Sequence, residues 1–266
     1  MAARAIWRGA ISFGMVTIPV SLYPATQTKD ISFHLLHKED HARLRFVRWC
    51  PVDEREVPND EIVRGYEFAK GQYVVLDDQD FEKLPLPSKH TIEISAFVEA
   101  SEIAPVYFER AYYLEPQEIG VKPYRLFLEA LERKQLVALG KVALRHREHL
   151  CALRPSGGAV ELETLYYADE IRERPKVAEA SVSEGELDMA SSLIDLLRKN
   201  FEPDTYHDEY RTALLELIEA KQQGRKVVVE AAPAEGKVTD LMEALRKSVE
   251  AARKTETKAR PRRKAS

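Results

Sequence analysis

Strand-type alternation of apolar residues fills the first two-thirds of this chain, and helical periodicity replaces it in the last third. Apolar residues alternate on odd positions up to Phe13 and on even positions from 16 to 22. Gly14 lies at the switch, where a turn or bulge would reset the register. Further strand-type runs lie at 31–36, 44–49, 72–76, 91–98, 111–114, 136–144, 150–154 and 160–167. A glycine pair at 157–158 predicts a hairpin turn, and so many strands with short connections predict a barrel or sandwich.

One helix interrupts the strands, and a second opens the helical region. Pro123 suits the first turn of the earlier helix. Its predicted buried stripe consists of Tyr124, Phe127, Leu128 and Leu131. Ser183 and Glu186 have the spacing of a capping box, which predicts the start of the later helix. The predicted stripe of that helix consists of Leu187, Ala190, Leu193, Ile194 and Leu197.

Two more helices are expected before the chain becomes too polar to fold alone. Gly224 is a natural C-cap for the first of them. Its predicted stripe consists of Tyr206, Tyr210, Leu214, Leu217 and Ile218. The other is expected to start at Thr239 and to turn Leu241, Leu245 and Val249 inward. Residues 254–266 are expected to form a disordered basic tail.

Several function classes are not expected from this sequence. Two cysteines, Cys50 and Cys151, do not supply a disulfide framework and fit a reducing cytosol. The uncharged stretch 9–28 has too many polar residues and prolines for a secretory leader or a membrane span. Because no phosphate-binding glycine loop, nucleophile elbow or HExxH motif occurs, the common hydrolase and nucleotide-binding classes are disfavoured. We expect a soluble, cytoplasmic protein.

Histidines and cysteines do not predict a metal centre. His34, His37 and His41 have spacings that would share a helix face, but their surroundings are partly strand-like. His149 and Cys151 share a strand parity, yet two ligands do not close a site. The run from Cys50 to Asp53 has the spacing of a CxxC motif in which aspartate replaces the second cysteine. We therefore interpret these residues as ordinary surface or strand positions.

Basic residues are concentrated in two places, although the formal net charge is −4. A strand over 43–49 would point Arg43 and Arg45 to one face and Leu44 and Phe46 to the other. Cations interleaved with aromatics suit a nucleic-acid surface, whereas a half-buried strand with a solvated face explains the same pattern. From Arg246 onward the chain has nine basic and two acidic residues, against 31 and 42 before it. Such a tail either binds a polyanion or serves as a solubilising terminus.

Seven ordered motifs resemble bacterial members of the Ku family. They are RAIWRGAISFG at 4–14, IPVSLYP at 18–24, ISFHLLH at 31–37, KGQYVVL at 70–76, REHLCALRP at 147–155, TLYYADEIR at 164–172 and VTDLMEAL at 238–245. The resemblance implies a homodimeric ring that threads onto double-stranded DNA ends and works with ligase D in non-homologous end joining. It implies a scaffold without catalysis and without a cofactor. An alternative, found among relatives, is a lyase that acts on abasic sites or 5′-deoxyribose phosphates near DNA ends.

The resemblance also implies an organisation of the chain into a mixed β and α fold. A β-barrel core is expected over 1–180, with a DNA-encircling bridge near 26–65, followed by a helical arm over 181–225. A helical region over 226–253 would contact the ligase through Leu241, Met242 and Leu245, and the basic tail would follow. No membrane partner is implied, and the protein would lie at breaks in the nucleoid. The expected DNA contacts are Lys29, Lys38, Arg43, Arg45, Arg48, Lys254, Lys258, Arg260, Arg262, Arg263 and Lys264.

Overall fold

The computed structural model describes residues 4–83, 90–144, 147–225 and 241–259. The strands are β1 (Trp7–Phe13), β2 (Val16–Pro24), β3 (Trp49–Cys50), β4 (Arg55–Glu56), β5 (Arg64–Ala69), β6 (Gln72–Leu76), β7 (Thr91–Glu99), β8 (Phe108–Pro116), β9 (Leu136–Leu144), β10 (Arg147–Ser156) and β11 (Ala159–Leu165). The helices are α1 (Asp78–Glu82), α2 (Val121–Lys134), α3 (Glu184–Leu197), α4 (Glu209–Gln222) and α5 (Leu241–Ala259). The chain divides into two compact units, Met1–Arg174 and Pro175–Ser266.

Seven strands form a closed barrel in the order β1-β2-β8-β11-β10-β9-β7. A parallel contact between β1 and β7 closes it, whereas the other neighbours run antiparallel. Gly9 allows that contact, because a Cβ there would lie 2.3 Å from the carbonyl oxygen of His90. The same oxygen accepts a hydrogen bond of 3.0 Å from the backbone N–H of Ala10. The barrel and the helices confirm the predicted fold class.

Two glycine turns set the register of the barrel hairpins. Gly14 has a φ of 58° and joins β1 to β2, and the pairing runs from Phe13–Val16 to Trp7–Leu22. Gly157 and Gly158 have φ values of 53° and 80° and join β10 to β11. Successive positive φ angles suit the right-handed twist of a tight hairpin, and side chains other than glycine rarely adopt them. Both turns were predicted, and both are confirmed.

The helix α2 covers one end of the barrel. Its buried residues are the four of the predicted stripe, Tyr124, Phe127, Leu128 and Leu131. The hydroxyl of Tyr124 donates to the carbonyl of Leu114 at 2.7 Å and accepts from the N–H of Val160 at 2.8 Å. It therefore ties the helix to paired positions of β8 and β11. Burial raises the pKa of this tyrosine, so it stays a neutral donor and acceptor.

The strands predicted at 31–36 and 44–49 are wrong. Only an isolated bridge between Leu36 and Arg43, and the two-residue strand β3, lie in these runs. Their alternating sequences lack a neighbouring sheet, because the chain has left the barrel at Pro24. An apolar alternation shows which faces a strand would have, but it does not supply the partner that a ladder requires.

The second unit contains three of the described helices. Ser183 and Glu186 form the predicted capping box, with a 2.7 Å bond from the Ser183 N–H to the Glu186 carboxylate. Helix α4 begins at Glu209 behind an Asp208 cap, so the predicted membership of Tyr206 in this helix is wrong. Gly224 follows that helix with a φ of 69°, as predicted.

Helix α5 packs on α3 and runs to Ala259, so it includes the first six residues of the tail expected to be disordered. Thr239, the expected first residue, lies outside the described residues, and so do residues 260–266. None of the described helices combines the length and the apolar composition that crossing a membrane requires.

Replacing Tyr124 by phenylalanine is expected to destabilise the barrel by about 1–3 kcal/mol, because the N–H of Val160 and the carbonyl of Leu114 lose a buried partner. In thermal unfolding the midpoint should fall by roughly 2–4 °C for each kcal/mol. Tyr113→Phe is the matched control, since its side chain is 49% exposed. Equal midpoints for the two variants would contradict the role given to the Tyr124 hydroxyl.

Candidate nucleic-acid interface

The chain between β2 and β7, residues 25–90, leaves the barrel and returns to the same end of it. We call this segment the excursion; its described part covers 25–83 and His90. β2 ends at Pro24 and β7 begins at Thr91, and both strands are neighbours of β1. Because β7 runs parallel to β1 and β2 antiparallel to it, both roots of the excursion lie at the end where β1 begins. Helix α2 covers the opposite end, so both roots lie on the side of the barrel away from that helix.

A tight turn organises the basic part of the excursion. The N–H of His37 donates to the carbonyl of Ala42 at 2.8 Å, and the N–H of Leu44 donates to that of Leu35 at 2.9 Å. At the tip, the carboxylate of Asp40 accepts bonds from the N–H of Ala42 at 2.9 Å and from Nδ1 of His37 at 2.8 Å. These two bonds, the backbone one first, lower the pKa of Asp40. We call residues 35–44 the ribbon.

The pairing of the ribbon places Arg43 and Leu44 on opposite faces. Leu36 and Arg43 are directly paired, so their side chains share one face, whereas Leu35 and Leu44 share the other. Arg43, Arg45 and Arg48 are all exposed. The predicted separation of Arg43 from Leu44 therefore holds locally, although the ladder of a regular strand does not form.

Cations of the excursion fall into a paired set and an unpaired set. Arg55 contacts Glu61 at 2.5 Å and Asp53 at 3.9 Å, Arg64 contacts Asp78 at 3.5 Å, and Lys83 contacts Asp80 at 3.9 Å. In the described part of the chain no carboxylate forms an ion pair with the set that precedes β3, which consists of Lys29, Lys38, Arg43, Arg45 and Arg48. Five exposed cations without internal counterions are available to an external anion.

The excursion also exposes many large apolar side chains, of which the sequence interpretation singled out only Leu44 and Phe46. They include Phe33, Leu35, Leu44, Phe46, Val47, Trp49, Val52, Val63, Tyr66, Phe68, Tyr73, Val74 and Val75. β5 and β6 pair only with each other within the described residues. A two-stranded hairpin with both faces in water is marginally stable at best. This surface therefore fits contact with a further macromolecule.

Comparison with known proteins adds independent evidence. A family model described as the Ku70/Ku80 beta-barrel domain matches residues 12–189, which include the barrel strands β2 and β7–β11, the excursion and the start of α3. The chain belongs to the Ku family. This result confirms the resemblance found in the sequence motifs.

Three curated relatives are named non-homologous end joining protein Ku, after a DNA-repair process. The protein from Archaeoglobus fulgidus is 43% identical over 93% of this chain and 99% of its own length. The one from Solibacter usitatus is 40% identical over 99% of both chains. The one from Symbiobacterium thermophilum is 47% identical over 94% of this chain, which spans only 64% of that relative. Among solved structures, the SPOC domain of human PHD-finger protein 3 matches 61% of this chain with 11% identity and a TM-score of 0.29, too low to support an argument.

The remaining predicted contacts of this Ku chain lie in its second unit. Lys254 and Lys258 fall in α5, but their side chains lie outside the described residues, as do Arg260, Arg262, Arg263 and Lys264. Met242 and Leu245 are half-buried and Val249 is buried, on the helix that packs against α3. The side chain of Leu241 is likewise outside the described residues. The proposed ligase contacts thus share the face of α5 that already carries its buried residue.

Histidine and cysteine geometry gives no metal centre in the part of the chain that the structure describes, where no three ligand-type residues come together. His37 is committed to Asp40, as shown above. Cys151 is buried in the barrel, and this burial raises the pKa of its thiol to about 12, which disfavours the thiolate.

Proposed function

We propose that this chain binds double-stranded DNA ends as a homodimeric ring, without sequence preference, and recruits ligase D in non-homologous end joining. The observation that carries the proposal is the set of five unpaired cations on an excursion whose two roots lie at one end of a rigid barrel. Membership of the Ku family supports the assignment of DNA as the polyanion. The site of action would be a break in the bacterial nucleoid, in the cytoplasm.

Phosphate contacts explain why exposed arginines, and not a recognition helix, would perform this task. A protein that must hold any DNA end gains nothing from base-edge contacts, which confer specificity. Arginine guanidinium groups bind phosphate oxygens in a bidentate way and release condensed counterions. The carboxylates beyond the ribbon, such as Asp53 and Glu61, already hold Arg55 and would repel DNA. This charge arrangement would confine DNA to the part of the excursion before β3.

The exposed apolar side chains of the excursion support a second copy of the chain as the partner that completes the ring. Tyr66 and Val74 are directly paired across β5 and β6 and are 66% and 47% exposed. DNA is a poor partner for such an apolar face, whereas an equivalent face of another copy is self-complementary under two-fold symmetry. Helices α3 and α4 are alternative interface elements, because both expose large apolar residues, for example Ile194 and Tyr210.

The lyase alternative requires a lysine amine that is deprotonated enough to attack an abasic aldehyde. Lys141 is a described lysine with a clear shift, and its pKa is raised by the hydrogen bond and charge of Glu148, 3.0 Å away. A raised pKa keeps the amine protonated and disfavours nucleophilic attack. Lys141 is therefore a poor candidate for this nucleophile, and we favour a scaffold that holds DNA without chemical reaction.

Threading can be separated from surface binding with one duplex prepared in linear and covalently closed forms. A ring should bind the linear form strongly and the closed form weakly, because it enters only through an end. Circularising a loaded duplex should trap the protein, which a gel shift at several salt concentrations would detect. Equal binding to both forms would contradict threading, and a salt slope near zero would contradict phosphate contacts.

The double variant Arg43→Glu and Arg45→Glu is expected to weaken binding to all duplex sequences alike. If each arginine neutralises one phosphate, the slope of log K against log salt should become about 1.8 less steep. Fluorescence anisotropy over a salt series measures both effects. Lys122→Glu with Arg125→Glu is the matched control, because these exposed residues lie on α2. If the control pair weakens binding equally, the basic part of the excursion is not the contact surface.

The double variant Tyr66→Ser and Val74→Ser is expected to raise the dimer dissociation constant at least tenfold, since burial of one large apolar side chain contributes about 1.5–3 kcal/mol. Sedimentation equilibrium measures the change. Met15→Ser is the matched control, because Met15 is fully exposed in the turn at the other end of the barrel. An unchanged constant would move the interface away from β5 and β6, and α3 and α4 would be tested next.

Removal of residues 238–266 is expected to abolish stimulation of ligase D while leaving end binding intact. Removal of 254–266 alone should cost less, and should affect the bridging of two ends more than loading on one. Ligation assays and gel shifts on the same preparations distinguish these steps. If the chain that lacks residues 238–266 still stimulates the ligase, the ligase contact lies outside α5.

A further inference from the structure

The end of the barrel opposite α2 opens into a depression of about 620 Å³. We call it the barrel mouth. Side chains that point into the barrel are apolar along most of each strand, as strand periodicity requires. At the mouth, two polar residues instead occupy positions of the inward-facing series. Arg110 belongs to the same alternating series as the buried Tyr112 and Leu114, and His149 to the same series as the buried Cys151 and Leu153. Arg110 is exposed and His149 is half-buried, so the mouth presents polar groups beside the apolar interior of the barrel.

The floor of the barrel mouth is apolar and well packed. Tyr112 and Leu144 are buried, with exposures of 9% and 7%, and the half-buried indole of Trp7 lies beside them. Pro24 and the first residues of the excursion complete the wall. A cavity of this size with an apolar floor and a few polar groups has the general character of a ligand site.

On one side of the rim, Glu109 orients His149 so that a ring nitrogen can accept a hydrogen bond. Oε2 of Glu109 accepts a bond from the hydroxyl of buried Thr164 at 3.1 Å and lies 3.4 Å from Nδ1 of His149. Burial lowers the pKa of His149, although the Glu109 carboxylate opposes this effect. A neutral ring that places its N–H toward Glu109 carries an unprotonated Nε2 on its other side.

The other side of the rim offers one uncommitted positive charge. Arg147 forms an ion pair with Glu170. Within the described residues no carboxylate forms an ion pair with Arg110. The carboxylates of Glu109 and Glu170 equal the two arginines in number, so the rim has no net positive charge and a doubly charged phosphate is disfavoured. A single carboxylate that contacts the free guanidinium of Arg110 suits this rim.

We propose that the barrel mouth binds the carboxyl-terminal residue of a partner peptide that ends in an apolar amino acid. The terminal carboxylate would contact Arg110, the last backbone N–H would donate to Nε2 of His149, and the side chain would lie on Trp7, Tyr112 and Leu144. This combination of one anion, one donor and one apolar group matches the three features of the mouth. The inference does not depend on DNA binding or on the ring.

Tryptophan fluorescence provides the test, because the chain has two tryptophans, Trp7 and Trp49. In the full-length Trp49→Phe protein, Trp7 becomes the single reporter. We expect acetyl-alanyl-alanyl-leucine with a free carboxylate to change its emission saturably in the millimolar range, which is typical for so small a ligand. The same peptide with a terminal amide should bind at least tenfold more weakly.

The variant Arg110→Gln is expected to reduce binding of the acid peptide to that of the amide, whereas Arg125→Gln on α2 should leave it unchanged. Circular dichroism and thermal unfolding would show that both variants fold. Equal affinities for acid and amide peptides, insensitivity to Arg110→Gln in a folded protein, or no saturable change of emission would each overturn the proposal. Binding of DNA ends is measured separately on the same variants. Failure of the peptide proposal can therefore be distinguished from failure of the proposed DNA binding.

Discussion

The parallel contact between β1 and β7 is the constraint on which the rest of this Ku chain depends. It closes the barrel, and it requires Gly9, whose missing side chain leaves room for the carbonyl oxygen of His90. Because β2 and β7 flank the same strand, closure also fixes both roots of the excursion at one end. Because the barrel holds both of its roots, the long exposed excursion can face a ligand without a buried core of its own.

The excursion and the barrel use their apolar residues in opposite ways. In the barrel, alternating strands bury one face and the hydroxyl of Tyr124 satisfies the polar backbone where α2 covers the end. In the excursion, large apolar side chains stay in water beside cations without internal counterions. Such a surface is unfavourable for an isolated chain. It becomes reasonable when one side meets a polyanion and the other meets a second protein surface.

The two ends of the barrel differ in what covers them. Helix α2 supplies the apolar side chains that close one end, whereas the other end has no covering element among the described residues and carries Arg110 and His149 at inward positions. The excursion leaves from that open end. One end of the barrel therefore provides both the roots of the excursion and the barrel mouth.

The sequence by itself determined the local features: the glycine turns at Gly14 and 157–158, the stripe of α2, the capping box at Ser183, and the family through its ordered motifs. These depend on backbone conformation and on near neighbours, which the amino-acid order specifies directly. Only the tertiary structure decided that 31–36 and 44–49 lack a sheet, that Arg55 and Arg64 are paired while Arg43 is not, and that Arg110 and His149 line one depression. Each of these facts depends on partners far away in the chain, and local periodicity carries no information about which distant residues become neighbours.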